Sequence, residues 1–475
     1  MQKVDWKKER ILVVGAGISG LAAARLTRDF GADVVLSDTK EKANINFDLS
    51  ALERQGVRFS FGTQEEDQLD GVTRVIVSPA VPVRVPLIQA AYRRGIRVES
   101  EIELAYHLAR SPIFAVTGTN GKTTTTMLLG RLLKTVYPVV GIGGNIGVAL
   151  SEEAVRVGAG GAIAAEISSY QLETTADFRP KIAAILNVTP DHVTRHGSLA
   201  VYQEMKEKLF SCQTQDDFLV LNYDNLPTRG MAERAPSTVC FFSRREKLES
   251  GAFLEDGWLV MRWQGVTHRL LSVRELKLRG GHNVENALAA SAMAFLAGAA
   301  PAKIAPILRD FSGVEHRIEP VAKVNGVMYY NDSKATNTDS AVKALDSFPG
   351  EPIVLIAGGE DKMTDLTAFM KLVKDRCAAL ILLGAAAARF RAAALDVGIA
   401  AGKIYEAGYS LEKAVTIAYS LARPPQVVLL SPACASFDMF RGYEERGRVF
   451  KSLVHALPGT LPTGEEYAAS AGIEG

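Results

Sequence analysis

The chain has 475 residues, too many for one ordinary hydrophobic core, so about two to four domains are expected. Its 54 basic and 53 acidic residues leave a net charge of +1, which gives no electrostatic footprint for nucleic acid or an anionic membrane surface. The four cysteines (Cys212, Cys240, Cys377, Cys434) form no CxxC pair, the charged N-terminus runs straight into a strand, and no apolar run approaches a membrane span. No disulfide frame, zinc knuckle or signal peptide is therefore expected, and the prediction is a cytoplasmic, multidomain α/β protein.

Arg10–Gly20, RILVVGAGISG, reads as an apolar strand followed by Gly15, Gly17 and Gly20 in G-x-G-x-x-G spacing. A helix over Leu21–Phe30 and a second strand over Asp33–Leu36 lead to Asp38, about 20 residues on, where a Rossmann unit holds a ribose hydroxyl. The same glycines also suit a tight turn and close helix packing alone. A further strand over Val72–Ser78 and a helical segment at Leu87–Arg94 close this domain near Ser100. Alone, the region suggests NAD. No hydride-transfer constellation follows it, so a nucleoside or nucleotide-sugar ligand is equally open.

Ile113–Thr126, IFAVTGTNGKTTTT, is a buried strand, a glycine turn, and then Lys122 and Thr123 opening a helix. That order builds a phosphate cradle: backbone N–H groups and the helix N-terminus face the anion, Lys122 supplies a charge, and the Thr123 hydroxyl suits Mg²⁺. The strict Walker pattern wants glycine where Val116 stands, so the context carries the reading, and ATP is the expected ligand. Pro138–Gly147 is a short strand entering a glycine-rich turn around Asn145, either a phosphate contact or an ordinary loop. Ala162–Glu166 is a strand ending in an acid placed to hold Mg²⁺ near the phosphate loop, the alternative being a surface glutamate that begins a loop. Lys181–Asn187 is another strand, running into Asp191, His192, Arg195 and His196, a cluster that points to metal or substrate. Ser198 caps a helix to about Cys212, on which Lys206 reads as a snorkelling side chain. Val239–Leu276 alternates like a small antiparallel meander. In the alanine-rich helix over Gly280–Ala299, Asn283 and Asn286 share a face, with N-capping the better reading of Asn283.

The pattern restarts after Gly313. Glu319–Val324 and Val327–Asn331 form a hairpin across Asn325-Gly326, and strands at Ile353–Ala357, Ala379–Leu383 and Val427–Leu430 alternate with helices as a second Rossmann-like sheet. Arg317, Lys334 and Lys362 put cations along one edge, which suits an anionic substrate.

Seven segments in order resemble the Mur ligase family: Thr117–Thr125 (TGTNGKTTT), Glu166–Leu172 (EISSYQL), Asn187–Gly197 (NVTPDHVTRHG), Gly280–Ala290 (GGHNVENALAA), His316-Arg317, Asp332–Asn337 (DSKATN) and Leu430–Phe440 (LSPACASFDMF). The phosphate-loop variant is the family's own and accounts for the missing Walker glycine. The resemblance implies three domains: a Rossmann-like UDP-binding domain at 1–100, an ATP-binding domain with a P-loop-type parallel sheet and small meander at 101–313, and a Rossmann-like amino-acid-binding domain at 314–475. It implies an ATP- and Mg²⁺-dependent amide ligase of peptidoglycan precursor synthesis, and the DSKATN and SPACASFD segments are most similar to the branch that joins D-glutamate to UDP-N-acetylmuramoyl-L-alanine through an acyl phosphate. Nucleic acid and membrane are not expected partners, and a monomer is expected.

Carried over position by position, Gly118, Thr119, Asn120, Gly121, Lys122, Thr123 and Thr124 would cradle the phosphates. Thr123 and Glu166 would hold a first Mg²⁺, and His192 a second. Lys206 would be the carbamylated lysine, with Lys208 close by in sequence. Asn283, Asn286, Arg317, Asp332 and Lys334 would contact ATP; Thr336, Lys362, Ser436 and Tyr443 would receive D-glutamate. Gly15, Gly17, Ser19, Asp38 and Thr39 would face the uridine, and Asn145 the pyrophosphate. The nearest alternatives are a sister ligase adding another amino acid and a folylpolyglutamate-type ligase. An NAD-dependent oxidoreductase is more remote and leaves Gly121-Lys122-Thr123 unexplained.

Overall fold

The run Ile11–Val14 is wholly excluded from solvent, as a parallel strand covered on both faces must be. A computed structural model of the chain describes residues 4–462 apart from 46, 190–192, 279 and 362. Among the described residues, three sheets form. The first is all parallel, in the order Arg58–Phe61, Asp33–Asp38, Arg10–Val14, Arg74–Val77, Arg97–Ser100. Alternation along the central strand divides its core: Ile11 and Val13 meet Ala23 and Ala24 of the helix Ile18–Asp29, while Leu12 and Val14 meet Leu87 and Ile88 of the helix Pro86–Arg93.

The second sheet has nine strands, with Ile113–Thr117 between Ala162–Glu166 and Ile182–Ile185. The helix Lys122–Leu133 packs on this sheet, and Gly130 permits the approach because a Cβ there would stand 2.3 Å from Ile142 Cδ1. The meander is present as Gly251–Glu255, Trp258–Trp263 and Val266–Ser272. It continues the same sheet, and Thr238–Ser243 before it pairs parallel on both sides.

The third sheet carries five parallel strands, Ile404–Gly408, Cys377–Leu383, Ile353–Gly358, Val427–Leu430 and Val327–Asn331, with Glu319–Val324 and Thr460–Pro462 antiparallel at one edge. The Asn325-Gly326 hairpin forms with both residues at positive φ (48° and 84°).

The chain folds as two compact units. One holds the first two sheets, up to Leu276 plus Val284–Asp310; the other holds Lys277–Asn283 and the chain from Phe311 on. The first two sheets share a unit because no linker separates them: strand Arg97–Ser100 passes directly into helix Glu101–Leu108, which packs on helix Leu150–Val157. At this seam Glu103 accepts the N–H groups of Ala176, Asp177 and Phe178 (2.7–3.1 Å), and Arg97 bridges Glu99 and Asp177 (2.9 and 2.7 Å).

Glu101, 1% exposed, accepts the Ser151 N–H at 2.6 Å through one oxygen while the other has no partner, and burial pushes its carboxyl up to about 7. Between the ordinary glutamate value and about 7 the folded state keeps a proton that the unfolded chain releases. Stability therefore falls as pH rises through that window. In Glu101→Gln the loss should vanish: thermal or urea unfolding from pH 4.5 to 7.5 should show the wild type losing on the order of 3 kcal/mol relative to the variant. Parallel pH profiles would contradict this assignment.

Candidate active site

The loop 118–121 leaves the C-terminal end of the strand Ile113–Thr117, whose Val116 lies opposite Glu166. Val116 is fully buried in the strand, and Gly118 (φ 153°) and Gly121 (φ 86°) supply the left-handed turns of the loop. Gly121 is the N-cap of the helix that follows, so the first-turn N–H groups of Lys122, Thr123 and Thr124 open toward the loop. A Cβ on Gly121 would meet Asn286 Oδ1 at 2.2 Å, and that oxygen accepts the Thr125 hydroxyl at 3.2 Å.

Lys122 Nζ curls back to donate to the carbonyls of Gly118 and Thr119, both at 2.9 Å. The loop is braced from the next strand end. Thr119 N–H donates to Asn187 O at 3.0 Å, Asn120 N–H to Asn187 Oδ1 at 2.9 Å, and Asn187 Nδ2 returns to Asn120 O at 3.1 Å. Thr119 Oγ1 exchanges hydrogen bonds with the backbone of Thr189 (3.1 and 3.2 Å).

Glu166 ends its strand 2% exposed. Its Oε1 accepts Asn145 Nδ2 at 2.9 Å, while Oε2 is buried with no hydrogen-bond partner. A buried carboxylate oxygen left unmatched at the mouth of a phosphate loop fits a divalent cation. Ser168 starts the next helical turn with a capping box to Gln171.

On helix Leu199–Glu207, capped by Ser198 Oγ accepting Val201 N–H at 3.2 Å, Tyr202 and Lys206 face inward and both are 1% exposed. Tyr202 OH lies 3.4 Å from Thr119 Oγ1, and Lys206 Nζ lies 4.3 Å from the Tyr202 ring centre. Lys208 instead donates to Glu173 O at 2.8 Å. Arg195 and His196, expected to join a metal or substrate cluster, are held by protein groups. Arg195 forks onto Glu173 at 2.9 and 2.7 Å; His196 Nε2 is 3.0 Å from Ser169 Oγ, with its ring centre 5.4 Å from that of Tyr202.

At the first sheet, a pocket of about 440 Å³ is lined by Gly15, Gly17, Asp38, Thr39, Ser78 and Val81 among others. Ser19, in the first turn of helix Ile18–Asp29, is not in its lining. Asp38 accepts the backbone N–H groups of Ala16 (2.8 Å) and Lys40 (2.9 Å) and so shapes the glycine loop.

In the second unit Asp332 is 5% exposed, accepting Ser431 Oγ at 2.7 Å and Ile318 N–H at 3.2 Å; burial pushes its carboxyl up to about 7. Arg317 Nε is buried without a hydrogen-bond partner, and Lys334 Nζ lies 5.2 Å from the Tyr443 ring centre. Arg446 is fully buried. It donates to Ser333 Oγ (2.9 Å), Ser333 O (2.7 Å), Cys434 O (3.2 Å) and Ala435 O (3.2 Å), lashing the loop of Asp332, Lys334 and Thr336 to that of Ser436.

Family models describe the chain nearly end to end. A Mur ligase MurD-like N-terminal domain matches residues 9–100, a Mur ligase middle domain 116–294, and a Mur ligase glutamate ligase domain 316–434. The UDP-N-acetylmuramoylalanine--D-glutamate ligase of Pelotomaculum thermopropionicum is 46% identical over 95% of this chain and 99% of its own. The ligase of that name from Thermoanaerobacter pseudethanolicus is 42% identical over 96% and 100%. The chain belongs to the Mur ligase family.

It is an ATP-dependent, amide-forming ligase, as that family is. Among solved structures, the UDP-N-acetylmuramate-alanine ligase MurC of Thermotoga maritima shares the fold at TM-score 0.57 and 21% identity, covering 97% of this chain and 99% of that one. The pseudomurein peptide ligase type C of Methanothermus fervidus does so at TM-score 0.55 and 18%, covering 89% and 96%.

Within the Mur ligase frame, several expected site residues fall together: Gly118–Thr124 with Asn286 around one loop, and Glu166 with Asn145 on the adjacent strand end. His192 and Lys362 lie outside the described residues. Asn283 is not an N-cap: the helix begins at Gly281, after Gly280 turns at φ 88°, and Asn283 N–H closes its first turn onto Gly280 O. Sequence reasoning missed the bracing by Asn187 and the clamp by Arg446. The signal for Arg446 is its place at the head of an inward stripe with Phe450 and Val454, spaced by four. Gly121→Ala should raise the ATP dissociation constant about tenfold or more, from the left-handed backbone and the displaced Asn286, as read by calorimetry with ATP. Unchanged affinity would show that the loop tolerates a side chain.

Proposed function

We propose that the protein joins D-glutamate to the L-alanyl carboxylate of UDP-N-acetylmuramoyl-L-alanine, converting ATP to ADP and phosphate in peptidoglycan precursor synthesis. The observation that carries the substrate assignment is similarity along almost the whole chain to ligases bearing that name. The braced phosphate loop beside the unmatched Glu166 oxygen supports the chemistry.

A carboxylate resists amines because its charge repels them and oxide is a poor leaving group. One carboxylate oxygen therefore bonds to the γ-phosphorus as the bond from that phosphorus to the β–γ bridging oxygen breaks and ADP departs. The glutamate nitrogen, having lost its ammonium proton, then attacks the acyl carbon, and phosphate leaves with the bonding electron pair. The first step brings two anions together, so positioning and positive charge carry most of its catalysis.

The N–H groups of Lys122, Thr123 and Thr124 and the Lys122 ammonium hold the phosphates, and Lys122 also keeps the loop in shape. Mg²⁺ fits Glu166 Oε2 and the Thr123 hydroxyl; when bound, it neutralises phosphate charge. His192 is the proposed second ligand. Lys206 is the proposed carbamylated lysine, a reading supported by its burial against Tyr202, whose hydroxyl reaches the phosphate loop. Asn283, Asn286, Arg317, Asp332 and Lys334 are assigned to ATP. Thr336, Lys362, Ser436 and Tyr443 are assigned to D-glutamate. Gly15, Gly17, Ser19, Asp38 and Thr39 are assigned to the uridine and Asn145 to the pyrophosphate. No helix among the described residues is long and apolar enough to cross a membrane, which agrees with a cytoplasmic site of action.

Mass analysis of the product from UDP-N-acetylmuramoyl-L-alanine, ATP and D-glutamate should show one added glutamyl residue. Lys122→Ala should lower turnover about 100-fold or more, followed by phosphate release. Strong turnover with L-alanine or a diamino acid and none with D-glutamate would assign the chain to a sister ligase.

A further inference from the structure

Arg195 joins two places that the substrate must bring together. Its fork grips Glu173, and the same Nη2 also donates to Val81 O at 3.1 Å, with Pro79 O at 3.5 Å. Val81 lines the first-sheet pocket, and the Ser78 hydroxyl beside it donates to Gly15 O at 2.9 Å, tying the same turn to the glycine loop. The guanidinium lies 4.9 Å from the Tyr170 ring centre, and the Arg195 and Glu173 side chains are only 13% and 9% exposed. An arginine suits this place: two parallel donors saturate one carboxylate while another N–H points elsewhere, to carbonyls in the turn that follows the strand Arg74–Val77.

On its other side Arg195 belongs to the segment that braces the phosphate loop. Asn187 and Thr189 precede it on the same chain, and His196 follows it. His196 meets Ser169 and packs beside Tyr202, whose hydroxyl reaches Thr119. Other ties at the seam, among them Arg25 to Glu152, Glu101 to Ser151, Glu103 to the N–H groups of Ala176, Asp177 and Phe178, and Arg97 to Asp177, border neither the pocket nor the loop.

We propose that Arg195 is a positioning residue that fixes the pocket wall at Pro79–Val81 relative to the phosphate loop, and so sets where the acceptor carboxylate arrives. The inference rests on reading the pocket as the site of the uridine nucleotide substrate. Arg195 touches no reacting atom; its effect is on the alignment of the acceptor substrate, not on the nucleotide triphosphate itself.

The test is steady-state kinetics of the full chain by phosphate release, varying each substrate in turn, with the unfolding midpoint measured alongside. Arg195→Met, which keeps the apolar stem, should raise KM for UDP-N-acetylmuramoyl-L-alanine about tenfold or more and lower kcat, with KM for ATP and D-glutamate changing less than about twofold. Arg195→Lys keeps the charge and reaches a single acceptor, so it should fall between, at about threefold; it carries the test should the methionine variant not fold. A KM for the uridine substrate within about twofold of wild type in the folded variants would overturn the proposal. So would an equal rise in all three KM values accompanied by a lower midpoint, which marks a merely structural arginine. Wild type active with D-glutamate beside unaltered Arg195 variants sinks this inference alone; wild type inactive with D-glutamate sinks the proposed function and this inference with it.

Discussion

Everything at the candidate site depends on holding a short loop of bare backbone donors rigid at the end of a parallel strand. Left-handed turns at Gly118 and Gly121 expose N–H groups that a flexible loop would turn toward water. Rigidity comes from neighbours. Asn187 pairs with both backbone groups of Asn120, Thr189 pairs with the Thr119 hydroxyl, and the Lys122 ammonium closes onto two loop carbonyls. These partners come from the adjacent strand end and from the helix that the loop itself opens. The cradle is thus preorganised before any anion arrives, which is the condition for electrostatic stabilisation to act at the reacting centre.

Buried polar atoms left without a partner occur in each of the two units. A carboxylate oxygen at Glu166 and a guanidinium nitrogen at Arg317 are buried without partners, an arrangement whose cost of a few kcal/mol per group is tolerated where a ligand supplies the missing bond. Arg446 shows the opposite case. It is wholly buried yet satisfied by four acceptors on two loops, and burial brings its pKa down to about 10. It acts as a rivet between the loop at Ser333 and the loop at Cys434 and Ala435, and its removal would free both at once.

The glycine fingerprint of the first sheet serves packing before it serves a ligand. A Cβ on Gly20 would fall 1.9 Å from Gly15 O, whereas Gly17 has open space around it. Asp38, which lines the pocket at the position where a dinucleotide site grips a ribose, also bonds the backbone N–H groups of Ala16 and Lys40. The motif therefore specifies how closely the first helix approaches the strand, and the pocket beyond it takes its character from Thr39, Ser78 and Val81.

By itself the amino-acid order determined the three-sheet α/β architecture, the hairpin at Asn325-Gly326, the phosphate loop and the family, because these rest on local regularities. Apolar runs of strand length, glycines where the backbone must turn left-handed, and short motifs in a fixed order are all contiguous in the chain. Only the tertiary structure decided which polar groups are spoken for. Asn187 bracing Asn120, Arg195 reaching carbonyls 114 and 116 positions away, and Arg446 clamping Ser333 are pairings between segments remote in sequence. Nothing in the spacing of those residues distinguishes an arginine that binds substrate from one that binds the protein's own backbone. The difference lies in what the fold packs against each guanidinium, and that is a property of distance in space.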